Sequence, residues 1–73
     1  MASVRACLAQ LRLIDYADRL DELGYDDLFY LAKVMTREQR MRVGLDQASM
    51  KAGHASKFAD KLPEVAEALF SLA

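Results

Sequence analysis

Phe58, Leu62, Val65, Leu69 and Leu72 follow one another at intervals of four, three, four and three, the repeat that lays side chains along one face of an α-helix. A chain of 73 residues has room for one core and needs a wall for it; this stripe is the best candidate. The first turns of the same helix are polar, with Lys51, His54 and Lys57 around them. Unpaired backbone N–H groups and the helix macrodipole attract negative charge at such an end. One element therefore serves the core along its length and offers a docking end at its start.

Pro63 falls inside the stripe. An interior proline removes one hydrogen bond and costs on the order of 3 kcal/mol, so the helix either kinks or breaks, with Pro63 starting a sixth. The stripe keeps its phase across Pro63, which a break has no reason to preserve. The expectation is one long helix, kinked near Pro63.

Four shorter helices are expected before it. Ser3 caps the first, with Val4, Cys7, Leu8 and Leu11 on one face. Leu13 and Ile14 lead into a second, with Tyr16, Ala17, Leu20 and Leu23 inward and Asp15, Asp18, Arg19, Asp21 and Glu22 outward. Gly24 stops that helix in the left-handed conformation. A short third helix starts from Asp26 or Asp27 as cap and turns Leu28 and Leu31 inward. Thr36 and Gln39 fit a capping box for a fourth, which runs to about Val43 and ends at Gly44. Leu45 is expected to plug the core before Asp46 to Ser49 turn the chain. With no strand-like alternation and no internal repeat, the pattern is all-α, a five-helix bundle forming a single domain over residues 1–73.

The composition, 53% hydrophobic and 29% charged, suits a compact domain and argues against disorder. A net charge of -1 gives no global drive toward nucleic acid or an anionic membrane. The charge is uneven along the chain, however. Asp15, Asp18, Asp21, Glu22, Asp26 and Asp27 face Arg19 alone, whereas Lys33, Arg37, Arg40, Arg42, Lys51, Lys57 and Lys61 outnumber Glu38, Asp46 and Asp60. The split predicts a charge dipole, which steers association with a complementary partner. Cys7 is the only cysteine, so no internal disulfide forms and the cytoplasm, or else the nucleus, is the expected compartment. No apolar run approaches the roughly 20 residues that span a bilayer, and the start of the chain lacks a signal-peptide apolar region.

Catalysis is poorly supported, with one His, one Cys, no glycine-rich phosphate loop and no pair of metal-ligand motifs. No enzyme activity, cofactor or metal is expected. Asp26 and Asp27 are adjacent and do not face each other, so they read as a solvated acidic patch rather than an acid and base pair. Cys7 reads as core. For His54 two roles stand: a structural ring bonded to nearby backbone or packed beside Tyr or Leu, and a direct contact to a partner's carboxylate.

The Leu-rich first helix, Tyr16 with Leu20, the run Gly24-Tyr25-Asp26-Asp27-Leu28, Leu31, the capped fourth helix ending Val43-Gly44-Leu45, and Lys51-Ala52-Gly53-His54 with Lys57-Phe58 together resemble a sterile alpha motif (SAM) domain. The match covers about residues 4–62, with 63–73 as an extension of the last helix. The resemblance implies a five-helix protein interaction module with two surfaces. A mid-loop surface, often acidic, corresponds to Tyr25, Asp26, Asp27 and Tyr30. An end-helix surface, often basic, corresponds to Met50, Lys51, Gly53, His54 and Lys57. The chain departs from the family at Ala52, where Pro is common, at Ala55, where Arg is frequent, and at Lys33, where mid-loop surfaces often carry an acid. Cys7 replaces a common Trp. The resemblance further implies head-to-tail self-association into an oligomer or open helical polymer, with Tyr25, Tyr30 and Met50 supplying the buried contact. The alternatives are hetero-association with another SAM domain as a scaffold or signalling adaptor, and RNA binding through Arg37, Arg40, Arg42, Lys51, Lys57 and Lys61.

Overall fold

The computed structural model describes residues 2–72, so the two end residues of the expected 1–73 domain lie outside it. Among the described residues it holds five helices and no strand. Helix α1 is Val4–Gln10, opened by Ser3, whose Oγ accepts the Ala6 N–H at 3.0 Å. Val4, Cys7 and Leu8 are buried, and Leu11 beyond the helix end is buried with them. Arg12, at φ 61°, then takes the left-handed turn that a glycine usually makes, and the Leu13 N–H closes it on the Leu8 carbonyl at 2.8 Å.

Helix α2 begins as a 3-10 turn, Ile14–Tyr16, and continues as Ala17–Glu22. Gly24 ends it at φ 91°, with the Tyr25 N–H bonded to the Leu20 carbonyl at 2.9 Å. Helix α3 covers residues 28–34 and widens into a π-type turn at Tyr30–Val34. Of its two candidate caps, Asp27 makes the bond, its Oδ1 accepting the Tyr30 N–H at 3.2 Å. Leu28 and Leu31 point inward as expected.

Helix α4 opens on the Thr36–Gln39 capping box and runs from Arg37–Arg42 through a second π-type turn, Val43–Gln47. Gly44 therefore does not end the helix, contrary to the sequence expectation. It is buried, and a Cβ at this position would lie 3.1 Å from Met50 Sδ and 3.2 Å from Ala55 Cβ. Its small size lets α4 approach the start of the last helix. Leu45 does not plug the core either: one residue on from the contact, it is 43% exposed, and Met50 fills the space instead.

Helix α5, Ala52–Ser71, has 20 residues and passes through Pro63 without a break, so no sixth helix forms. At 1.5 Å per residue it is about 30 Å long, close to the longest extent of the molecule, 32 Å. Phe58, Leu62 and Leu69 of the stripe are buried and Val65 is half-buried, joined by Ala55, Ala59 and Ala66. Leu72 is an exception at 81% exposed, lying one residue past the helix end as its C-cap. Cys7 packs beneath α5 with Sγ 3.8 Å from the Leu62 carbonyl, and burial pushes its thiol up to about 11. No described helix is long and apolar enough to cross a membrane.

The continuity at Pro63 has a specific cause. A helix N–H bonds the carbonyl four residues back, so proline leaves the Ala59 carbonyl without its partner. Arg40, only 6% exposed, supplies the missing donor: its Nε lies 3.0 Å from the Ala59 oxygen. The same guanidinium donates through Nη1 to the Leu31 carbonyl at 3.0 Å and the Met35 carbonyl at 2.8 Å, closing the end of α3. Burial lowers its proton affinity while the nearby Asp60 charge raises it. Arg40 thus ties α3, α4 and α5 together at the proline.

Candidate functional site

Two faces collect the residues singled out in the sequence. The first is the start of α5. Its ladder begins with the Ala55 N–H on the Lys51 carbonyl at 2.9 Å, so the N–H groups of Ala52, Gly53 and His54 precede it. Lys51 occupies the cap position and makes no capping hydrogen bond, and the first turn holds no acid. Ala52 and Gly53 are exposed, and open space lies over the position a Gly53 Cβ would take. His54 is fixed from the side by α2: Tyr16 Oη and His54 Nδ1 are 2.6 Å apart, with the rings edge to face at 5.5 Å. The expected packing of His54 beside a tyrosine is present. Met50 is not part of this face. At 5% exposed it is a core residue under Gly44, and the role of interface contact assigned to it is corrected accordingly.

The second face runs from the end of α2 across α3. Asp26 and Asp27 are exposed, and Asp27 is engaged as the cap of α3. Tyr25 is half-buried and bonds Gln47 Oε1 through its hydroxyl at 2.9 Å, while Arg19 Nε bonds the Gln47 carbonyl at 3.2 Å. These bonds hold the Tyr25 loop against the end of α4. Between them lies a cleft of about 210 Å³ lined by Tyr25, Tyr30, Met35, Gln39, Arg42, Val43 and Gln47. The two π-type turns bracket this cleft, Tyr30 starting one and Gln47 ending the other. Phe29 and Val34 extend the outer face of α3 at 58% and 55% exposed, and Phe29 leans toward Phe70 with ring centres 6.2 Å apart.

Ion pairs sharpen the charge pattern. Arg5–Asp18, Arg19–Glu22, Lys33–Glu67, Arg37–Asp60 and Lys61–Glu64 pair within the chain. Three bases of the expected basic half are therefore neutralised locally, and Arg40 is internal. Among the described residues the carboxylates outside these pairs include Asp15, Asp21, Asp26 and Asp27, and the bases outside them include Lys51 and Lys57. Arg42, also outside them, puts one positive charge in the tyrosine-lined cleft. The sequence did not single out Gln47, Phe29 or Val34, and it named Arg42 only among the bases of the basic half and of the RNA-binding alternative; for Phe29 and Val34 the available signal was an α3 too apolar on both sides to be covered by one core. Comparison with protein-family models, with curated proteins and with solved structures finds no match for the chain.

Proposed function

We propose that the chain is a sterile alpha motif domain that associates head to tail, the acidic face around Asp26 and Asp27 of one copy docking on the start of α5 of the next. The observation that carries this is the contrast between the two faces. The start of α5 offers free N–H groups without a capping side chain, together with Lys51 and Lys57, which pair with no other described residue. The acidic face offers carboxylates that pair with no other described residue, beside exposed Tyr30. Carboxylates gain from the helix dipole, from the N–H groups and from the lysines. Aromatic residues such as Tyr25 and Tyr30 contribute most where water is excluded. Because the two faces differ, the contact is heterologous, and repetition gives a ring or an open helical polymer.

Sedimentation of the wild type at low and high salt tests this. Self-association that grows with concentration and weakens with salt is expected, since exposed charges are screened beyond about 10 Å at 0.1 M. Asp26→Lys and Lys57→Glu, each alone, should stop at small species. Asp26 is preferred over Asp27 for the test because Asp27 also caps α3. A wild type that stays monomeric at high concentration in low salt would overturn self-association and leave docking to a different SAM domain through the same faces. RNA binding is disfavoured: phosphate affinity scales with the cations available, and of its six bases Arg37 and Lys61 are paired and Arg40 is buried.

A further inference from the structure

His54 is the one histidine in the sequence, and its ring is oriented rather than free. The Tyr16 hydroxyl occupies Nδ1 at 2.6 Å, which leaves Nε2 as the nitrogen available to a partner. The ring stands in the first turn of α5, between Lys51 and Lys57 in sequence. We infer that docking at this end of α5 is coupled to uptake of a proton by His54, so that association tightens as pH falls through the histidine range. The inference rests on the start of α5 being the surface that receives carboxylates.

A carboxylate at Nε2 gains a charge-assisted bond from an imidazolium and a weaker one from a neutral ring. Whatever binds the protonated form more tightly also promotes protonation, by the same factor. The proton goes to Nδ1, which changes from acceptor to donor toward the Tyr16 oxygen, so the ring keeps its position in both states. Helix α2, which meets this end of α5 through Tyr16, carries Asp15, Asp18, Arg19, Asp21 and Glu22; α4, which meets it through Gly44, carries Arg37, Glu38, Arg40, Arg42 and Asp46; α5 itself brings Lys51 and Lys57. Carboxylates, lysines, tyrosines and arginines ordinarily titrate outside pH 5.5–8, and burial lifts the Cys7 thiol to about 11. Histidine is the side chain whose ordinary titration falls inside that window.

The test uses one interface at a time. Asp26→Lys retains the start of α5, Lys57→Glu retains the acidic face, and a mixture of the two can form a dimer only through that one pair. Its dissociation constant is measured from pH 8 to pH 5.5. The expected result is a tightening of about tenfold, the effect of one unit of linked proton affinity, which disappears when His54→Gln is placed in the Asp26→Lys partner and persists when it is placed in the Lys57→Glu partner. A ring-proton NMR titration of His54 should also show its midpoint rising on addition of saturating Lys57→Glu protein, a readout that needs no change at His54. A dimer whose affinity is flat with pH, or whose pH dependence survives His54→Gln in the Asp26→Lys partner, overturns the coupling while leaving the docking intact. Absence of a dimer at every pH overturns the docking itself.

Discussion

Helix α5 lacks backbone partners of its own both at its start and in its interior, and these two gaps are treated in opposite ways. At Ala59 the carbonyl loses its donor because residue 63 is proline, and a buried arginine from α4 fills the gap at 3.0 Å. At Ala52 to His54 the first N–H groups lack acceptors, and neither a capping side chain nor an acid closes them. An unmet hydrogen bond in the interior costs the full desolvation of the group, so the interior gap has to be closed for the fold to stand. The exposed gap is satisfied by water and stays available to another molecule. Along one helix, the satisfied defect belongs to stability, and the unsatisfied one is where we propose docking.

Replacing the arginine is the sharpest way to break this contrast. Arg40→Met fills similar volume but leaves two buried carbonyls and one part-buried carbonyl without their donor, at about 1 kcal/mol each. The expected loss is about 3 kcal/mol in urea denaturation, with a fall in Tm above about 10 °C for a domain of this size; a loss below about 1 kcal/mol would mean that the proline gap needs no closing. Pro63→Ala provides the cross-check, because it restores the N–H that Arg40 replaces. It should stabilise the Arg40→Met protein by about 1–2 kcal/mol more than it stabilises the wild type, a coupling that a double-mutant cycle reads directly.

Gly44→Ala probes the packing beneath the start of α5. The new methyl would press on Met50 Sδ and Ala55 Cβ at 3.1 and 3.2 Å. Met50 can shift but the α5 backbone under Ala55 cannot, and a loss of about 1–2 kcal/mol is expected by thermal melting. The smallest effect belongs to the surface. The hydrogen bond and charge of Arg37 hold the Asp60 carboxyl below its ordinary range, so the pair adds stability above the unfolded carboxylate pKa of about 3.9 and loses it as pH falls through the depressed folded value. Asp60→Asn should flatten the acid limb of the stability curve slightly and leave neutral-pH association unchanged, as surface pairs contribute little.

Local signals in the sequence located the helices well, because caps and turns act over three or four residues. Ser3, Thr36 with Gln39, and Gly24 each do what their type and position imply. Pro63 was legible through the phase of the stripe, although the reason the helix survives there was not. Arg40 is one base among ten, and nothing local marks the one that turns inward to three carbonyls from α3, its exit and α5. Gly44 failed for a related reason. A glycine that ends a helix and a glycine that admits a neighbour look alike until the neighbour is in place, and the error displaced Leu45 and Met50 with it. Of the candidate site, the residues at the start of α5 and around Asp26 could be named from sequence, apart from Met50. The cleft between Tyr30 and Gln47 could not, since it depends on two π-type turns that no spacing announced.

The most direct measurement for the docking claim is sedimentation of Asp26→Lys and Lys57→Glu proteins, each alone and then mixed in equal amounts at low salt. Each alone should remain at small species, and the mixture should form a one-to-one dimer through its single intact pair of faces. A mixture that sediments no faster than its components, with both variants melting like the wild type, would contradict head-to-tail docking of the acidic face on the start of α5.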